Sequence, residues 1–205
     1  SCIPEFYFGI DRKGNGWQVG AGVDVLSIVP RTQNVVEEKT YKVSERVTGV
    51  SGELHAKYQN KDWFIAAKTV WGTNLAHTCM LGGYGVTAID PRTGEQDYAP
   101  YHHATAWLNV VYGKKWKPGF FVGYLKNLGA NAPIVGATYG TGLDVDQLFT
   151  TNWQLSYNLP HWRLGVEYTP SIAWFGTVDK ADGGRVHSDH HVTNHRAVVT
   201  MSYQF

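Results

Sequence analysis

Residues 196–205 read RAVVTMSYQF, and this stretch decides the fold class. Ala197, Val199, Met201, Tyr203 and Phe205 alternate with Arg196, Val198, Thr200, Ser202 and Gln204. Successive side chains of a β-strand point to opposite faces, so this spacing predicts a strand with one apolar and one largely polar face. The same period recurs upstream. Trp17, Val19, Ala21, Val23 and Val25 alternate with Gln18, Gly20, Gly22 and Asp24; Val50, Leu54, Ala56 and Tyr58 with Ser51, Glu53, His55 and Lys57. Trp63, Ile65, Ala67, Thr69 and Trp71 oppose Phe64, Ala66, Lys68 and Val70, and Ala104 to Tyr112 repeats the pattern. Phe149, Thr151, Trp153, Leu155 and Tyr157 form one further face, and Trp162, Leu164, Val166 and Tyr168 another, the latter opposite Arg163, Gly165 and Glu167. With shorter segments at Pro4 to Asp11 and Phe120 to Asn127, about nine strands are predicted.

The connections between them alternate in length. Residues 12–16, 59–62, 113–118 and 158–161 are short and carry the Gly, Asn, Asp or Pro of tight hairpin turns. Residues 30–40, 72–100, 128–142 and 176–190 are long. All short turns then lie at one end of the sheet and all long loops at the other, the plan of an antiparallel up-and-down transmembrane β-barrel. Tyr58, Trp63, Tyr112, Trp116, Tyr157, Trp162, Tyr203 and Phe205 fall at or beside the short-turn end, where an interfacial aromatic girdle would sit. A soluble barrel or sandwich with aromatics packed across its hairpin ends is the alternative. The charges favour the membrane. Asp24, Glu53, Lys57, Lys68, Arg163, Glu167 and Arg196 all share the face opposite the apolar one, and charges need a wet lumen.

Composition agrees with this reading. Of 205 residues, 43% are apolar, 14% aromatic and only 17% charged, with 23 Gly. Lys and Arg total 18 against 17 Asp and Glu, so no bulk positive field points to nucleic acid. No run approaches the roughly 20 apolar residues of a spanning helix, which a strand barrel does not need. The opening SCIPEFYFGI lacks the basic and apolar regions of a signal peptide. Two cysteines, Cys2 and Cys79, are too few for a disulfide framework and leave the redox compartment open.

The terminal Tyr-x-Phe, ending on Phe205, resembles the C-terminal assembly signal of bacterial outer-membrane proteins. The short turns would then be periplasmic, and counting back through eight reversals starts the first strand on the extracellular side. Single-chain bacterial barrels have an even number of strands. Further strands are therefore expected before residue 1; one strand miscounted within residues 72–100 is the alternative. The segments GWQVGAGVDVLSIVPR (16–31), MLGGYGVTAIDPRTGEQDY (80–98), WLNVVYGKKW (107–116), GLDVDQLF (142–149) and LSYNLPHWRLGVEY (155–168) resemble the C-terminal half of a Bacteroidota outer-membrane porin-like family. The resemblance runs from about Pro4 to Phe205. It implies a protein about twice this length whose early strands lie in the other half.

Candidate sites are few. His187, His190, His191 and His195 offer metal-type ligands, but His191 and His195 on one strand face stand about 13 Å apart, too far for one ion, so a hydrated loop with interfacial histidines is expected instead. Asp144, Asp146, Asp179, Asp182, His187 and Asp189 fall near the long-loop rim without the spacing of a catalytic dyad or triad. GGYG at 82–85 lacks the Lys of a phosphate loop and is expected in a folded-in constriction loop. The residues thus predict an outer-membrane, porin-like channel for passive diffusion of small hydrophilic solutes, with no cofactor, metal or catalysed reaction. Asp24, Glu53, Lys57, Lys68, Arg163, Glu167 and Arg196 would line the pore, with Asp144 and Asp146 in the same charged set. Trp17, Tyr58, Trp63, Tyr112, Trp153, Tyr157, Trp162, Tyr203 and Phe205 would face lipid or a neighbouring subunit. Expected partners are outer-membrane lipid, an N-terminal companion chain completing the barrel, and further copies, as in a trimer. The competing class is a non-conducting accessory barrel that binds a partner through its extracellular loops.

Overall fold

A computed structural model describes residues 3–205; Cys2, and with it any relation to Cys79, lies outside the described residues. Strands β1 (Phe6–Gly14) and β2 (Trp17–Ile28) form the first hairpin. Its two-residue turn is Asn15-Gly16, with φ of 43° and 83°. A type I′ turn needs positive φ at both positions, which Asn and Gly adopt most cheaply. The connection onward carries a small hairpin, β3 (Gln33–Val36) and β4 (Lys39–Lys42). Next come β5 (Val47–Gln59), β6 (Trp63–Thr73), a 3-10 turn at Leu75–Thr78, β7 (Gly82–Ile89) and β8 (Gln96–Pro100). The chain continues through β9 (His102–Tyr112), β10 (Trp116–Gly129), β11 (Thr138–Thr141), β12 (Val145–Asn158), β13 (Trp162–Asp179) and β14 (Arg185–Tyr203).

Nine long strands pair in the order β1-β2-β5-β6-β9-β10-β12-β13-β14, every neighbour antiparallel. They are the nine expected from alternation. Residues 72–100 do contain strands, β7 and β8, but these pair with each other, and β7 with β11, in a separate three-stranded sheet. That segment hides no tenth wall strand. β1 and β14 form the two edges of the wall and are not paired with each other. No helix among the described residues is long and apolar enough to cross a membrane, a statement that does not bear on strands.

One connection departs from expectation. Residues 176–190 are not a long loop, because β13 and β14 run to Asp179 and from Arg185 as strands of 18 and 19 residues. Spanning a bilayer takes only roughly 9–11 strand residues, so this hairpin stands well clear of the hydrocarbon. His187, His190, His191 and His195 consequently lie on β14 and not in a loop.

Register fixes the faces. Trp17 pairs with Tyr58, Trp63 with Tyr112, Trp116 with Tyr157 and Trp162 with Tyr203. Each Trp opens the strand leaving a short turn, and its ring lies 4.4, 4.6, 4.5 and 4.8 Å respectively from that of its Tyr. Trp153 lies on the same face nearer mid-strand, against Phe120 at 4.6 Å. This apolar face is bare: Phe8 is 76% exposed, Met201 69% and Val199 82%. Water would not tolerate so continuous a greasy surface, whereas lipid requires it. The buried core lies elsewhere, in the layer of long connections, where Tyr101, Ala130 and Ile134 pack with Ala99 and Leu143.

Candidate functional site

The opposite face carries the chemistry. Asp24 pairs with Ser51, Glu53 with Gly22 and Val70, Lys57 with Gln18, and Lys68 with His55 and Trp107. Glu167 pairs with Gln154 and Val198, Arg163 with Asn158 and Ser202, and Arg196 with Thr169. All seven residues singled out from the sequence thus share one face, the one turned away from the paired Trp and Tyr rings of the short-turn belt. Asp146 does not join them. It is buried beside a bulge at the long-loop end, held by Lys126 Nζ at 2.5 Å and by Ser188 Oγ at 2.5 Å.

Glu53 is the hub of a polar chain on this face. It is ion-paired with Lys68, accepts from Tyr7 Oη at 2.9 Å, and lies 3.5 Å from His55 Nδ1. The other nitrogen of His55 is 2.8 Å from Asp11 Oδ1, which also accepts from Gln18 Nε2 at 3.1 Å. The close approach of Tyr7 depends on Gly22, where a Cβ would stand 2.3 Å from the phenol oxygen. Farther along the sheet, Asn152 Nδ2 donates to Thr169 Oγ1 at 2.6 Å and reaches Glu167 at 3.5 Å. Arg163 and Arg196 make no ion pair among the described residues, while Lys57 lies over the Phe64 ring at 5.4 Å.

Residues 75–81 fold over this face. They and the wall line an open cavity of about 750 Å³ whose lining includes Asp24, Glu53, Lys68, Leu75, Cys79 and Trp107. The inward segment was expected at GGYG. Instead Gly82 to Gly85 belong to β7, paired with β11, and the residues just before them reach the cavity. Tyr7, Asp11, Glu5 and His77 also contribute to this region without having been singled out, since the facing of the first strand and of the long connection was not assigned from the sequence.

A nine-stranded antiparallel wall, belted with Trp and Tyr on its bare apolar side and charged on the other, is the architecture of a bacterial outer-membrane β-barrel. Solved structures agree on the fold. The chain is similar to the outer-membrane channel DcaP of Acinetobacter baumannii (TM-score 0.60, 10% identity, 99% of this chain and 52% of that one). It is also similar to outer-membrane-expressed OmpT of Vibrio cholerae (0.53, 14%, 98% and 56%) and to a trimer form of in-vitro folded OmpT (0.50, 13%, 96% and 54%). The chain spans about half the length of these proteins. No protein-family model and no curated protein matches the sequence.

Proposed function

We propose that this chain is the nine-stranded portion of a porin-like channel in the bacterial outer membrane, through which small hydrophilic solutes diffuse passively. The observation that carries this reading is the polar face: charges of both signs line one side of a wall whose other side is built for lipid. Mixed signs order water across a lumen without strong ion selectivity. A larger barrel leaves a channel, whereas eight to ten strands are filled by their own side chains. No reaction is catalysed, and the lining residues act as a field and a sieve. The resemblance to Bacteroidota porin-like proteins, and the printed description of DcaP as a channel, point the same way.

The wall must also be closed. Edge strands β1 and β14 present unpaired N–H and C=O groups, each costing several kcal/mol in hydrocarbon. Further strands therefore complete the barrel, from the remainder of a longer polypeptide or from a companion chain, and copies of the barrel associate as oligomers. The inward-folded residues 75–81 favour one rival, a plugged, non-conducting accessory barrel that binds a partner through its extracellular loops. Native mass of the unboiled detergent complex, then planar-bilayer conductance of the same sample, separates the two. Stable, weakly selective conductance steps from a complex larger than 22.8 kDa are expected; a silent bilayer would sink the pore reading.

A further inference from the structure

Three potential metal ligands from separate parts of the chain meet at the edge of the cavity. Glu5 immediately precedes β1, Asp24 stands on the polar face of β2, and His77 belongs to the 3-10 turn. His77 Nε2 lies 3.1 Å from Glu5 Oε1 and 3.7 Å from Asp24 Oδ1, and one donor atom from each residue falls within 4.8 Å of the others. The far side of the ring is also anchored, with Nδ1 3.1 Å from the carbonyl oxygen of Asn74. A carbonyl can only accept, so Nδ1 carries a proton and Nε2 is the nitrogen turned toward the two carboxylates. Asn74 is itself fixed, buried and donating its N–H to the Tyr101 carbonyl at 3.0 Å. A backbone acceptor behind the imidazole is how metal-bound histidines are oriented.

An imidazole nitrogen and two carboxylates converge, and either protons shared among the three groups or a metal ion between them offsets the repulsion of the carboxylates. Donors around a tetrahedral ion at about 2.0–2.1 Å stand roughly 3.4 Å apart, so inward movements of about an ångström complete the site. Mixed imidazole and carboxylate donors suit zinc-type ions, not Ca²⁺ or Mg²⁺, which take oxygen ligands.

We propose that Glu5, Asp24 and His77 bind one divalent transition-metal ion of the zinc type, which fastens the inward-folded segment to the barrel wall. Three protein ligands leave a coordination position for water or a solute donor. The test uses the complete protein as isolated from the outer membrane, stripped with chelator and titrated with Zn²⁺ by calorimetry and with Co²⁺ by visible absorption. One equivalent per chain is expected, with affinity at least tenfold weaker in His77→Ala and in the near-isosteric Asp24→Asn, and unchanged in His191→Ala/His195→Ala. Unboiled gel migration shows that each variant is folded. Absence of saturable uptake in the wild type, or uptake indifferent to His77→Ala, overturns the proposal and leaves His77 as an ion-pairing imidazolium. Metal uptake is read without conductance, so a failed pore measurement does not decide this question.

Discussion

At the scale of single residues, the arrangement of the polar face turns on missing side chains. Tyr7 reaches Glu53 only because Gly9 and Gly22 leave its ring room, with a Cβ at Gly22 falling 2.3 Å from the phenol oxygen. Gly22→Ala should therefore displace the ring and lower stability by about 1–3 kcal/mol, whereas Tyr7→Phe, which removes one solvent-exposed hydrogen bond, should lower it less. In a Tyr7→Ala background, Gly22→Ala should cost almost nothing, because the clash has no partner. Urea unfolding in lipid vesicles measures all three, and an undiminished loss in that background would contradict the packing argument. The sequence allowed Asp24, Glu53, Lys57 and Lys68 to be assigned to one face, because period two needs no tertiary information. It did not reveal Tyr7 or Asp11. Phe6, Tyr7 and Phe8 form an unbroken aromatic run, and only pairing with Val25, Asp24 and Val23 shows which ring turns inward.

At the scale of elements, the short-turn rim is the most regular part of the molecule. Trp17, Trp63, Trp116 and Trp162 each begin a strand, and each stacks obliquely on a Tyr ending a neighbouring strand. Amphipathic rings settle at the boundary of lipid and water, so the belt fixes the depth of the wall as well as joining adjacent hairpins. Trp63→Ala should destabilise by about 1–2 kcal/mol through loss of ring pairing and interfacial burial, with Trp63→Phe losing less. The readout is the temperature at which the unboiled gel form disappears, and equal shifts for the two variants would argue against a belt. This rim was legible because its turns are short and marked by Asn, Gly and Asp. The opposite end was not. The run ADGG at 181–184 is a turn signal, and flanking glycine and charged residues made the whole of 176–190 resemble a loop, although cross-strand pairing continues from Thr177 with His187 to Asp179 with Arg185.

At the scale of the whole molecule, the charges are unevenly distributed along the wall. The β1–β5 side holds Asp11, Asp24 and Glu53, with Asp11 and Glu53 engaged by His55 and Lys68, while the β13–β14 side holds Arg163 and Arg196 with no ion-pair partner among the described residues. Paired charges cancel at the distance of a passing ion, so the unpaired guanidinium groups should dominate the local potential on their side. In a conducting barrel, Arg163→Gln with Arg196→Gln should shift the reversal potential in a KCl gradient toward cation preference, and Glu167→Gln, on the same strands, should shift it toward anions. Lys68→Met should move it less than the double arginine variant, because its removal also leaves Glu53 free to take up a proton or another cation. Lowering ionic strength from about 1 M to 0.1 M lengthens screening from about 3 to 10 Å, and should enlarge the arginine effect. A reversal potential indifferent to both arginines at low salt would mean that the polar face does not border the conduction path, whatever current the barrel carries.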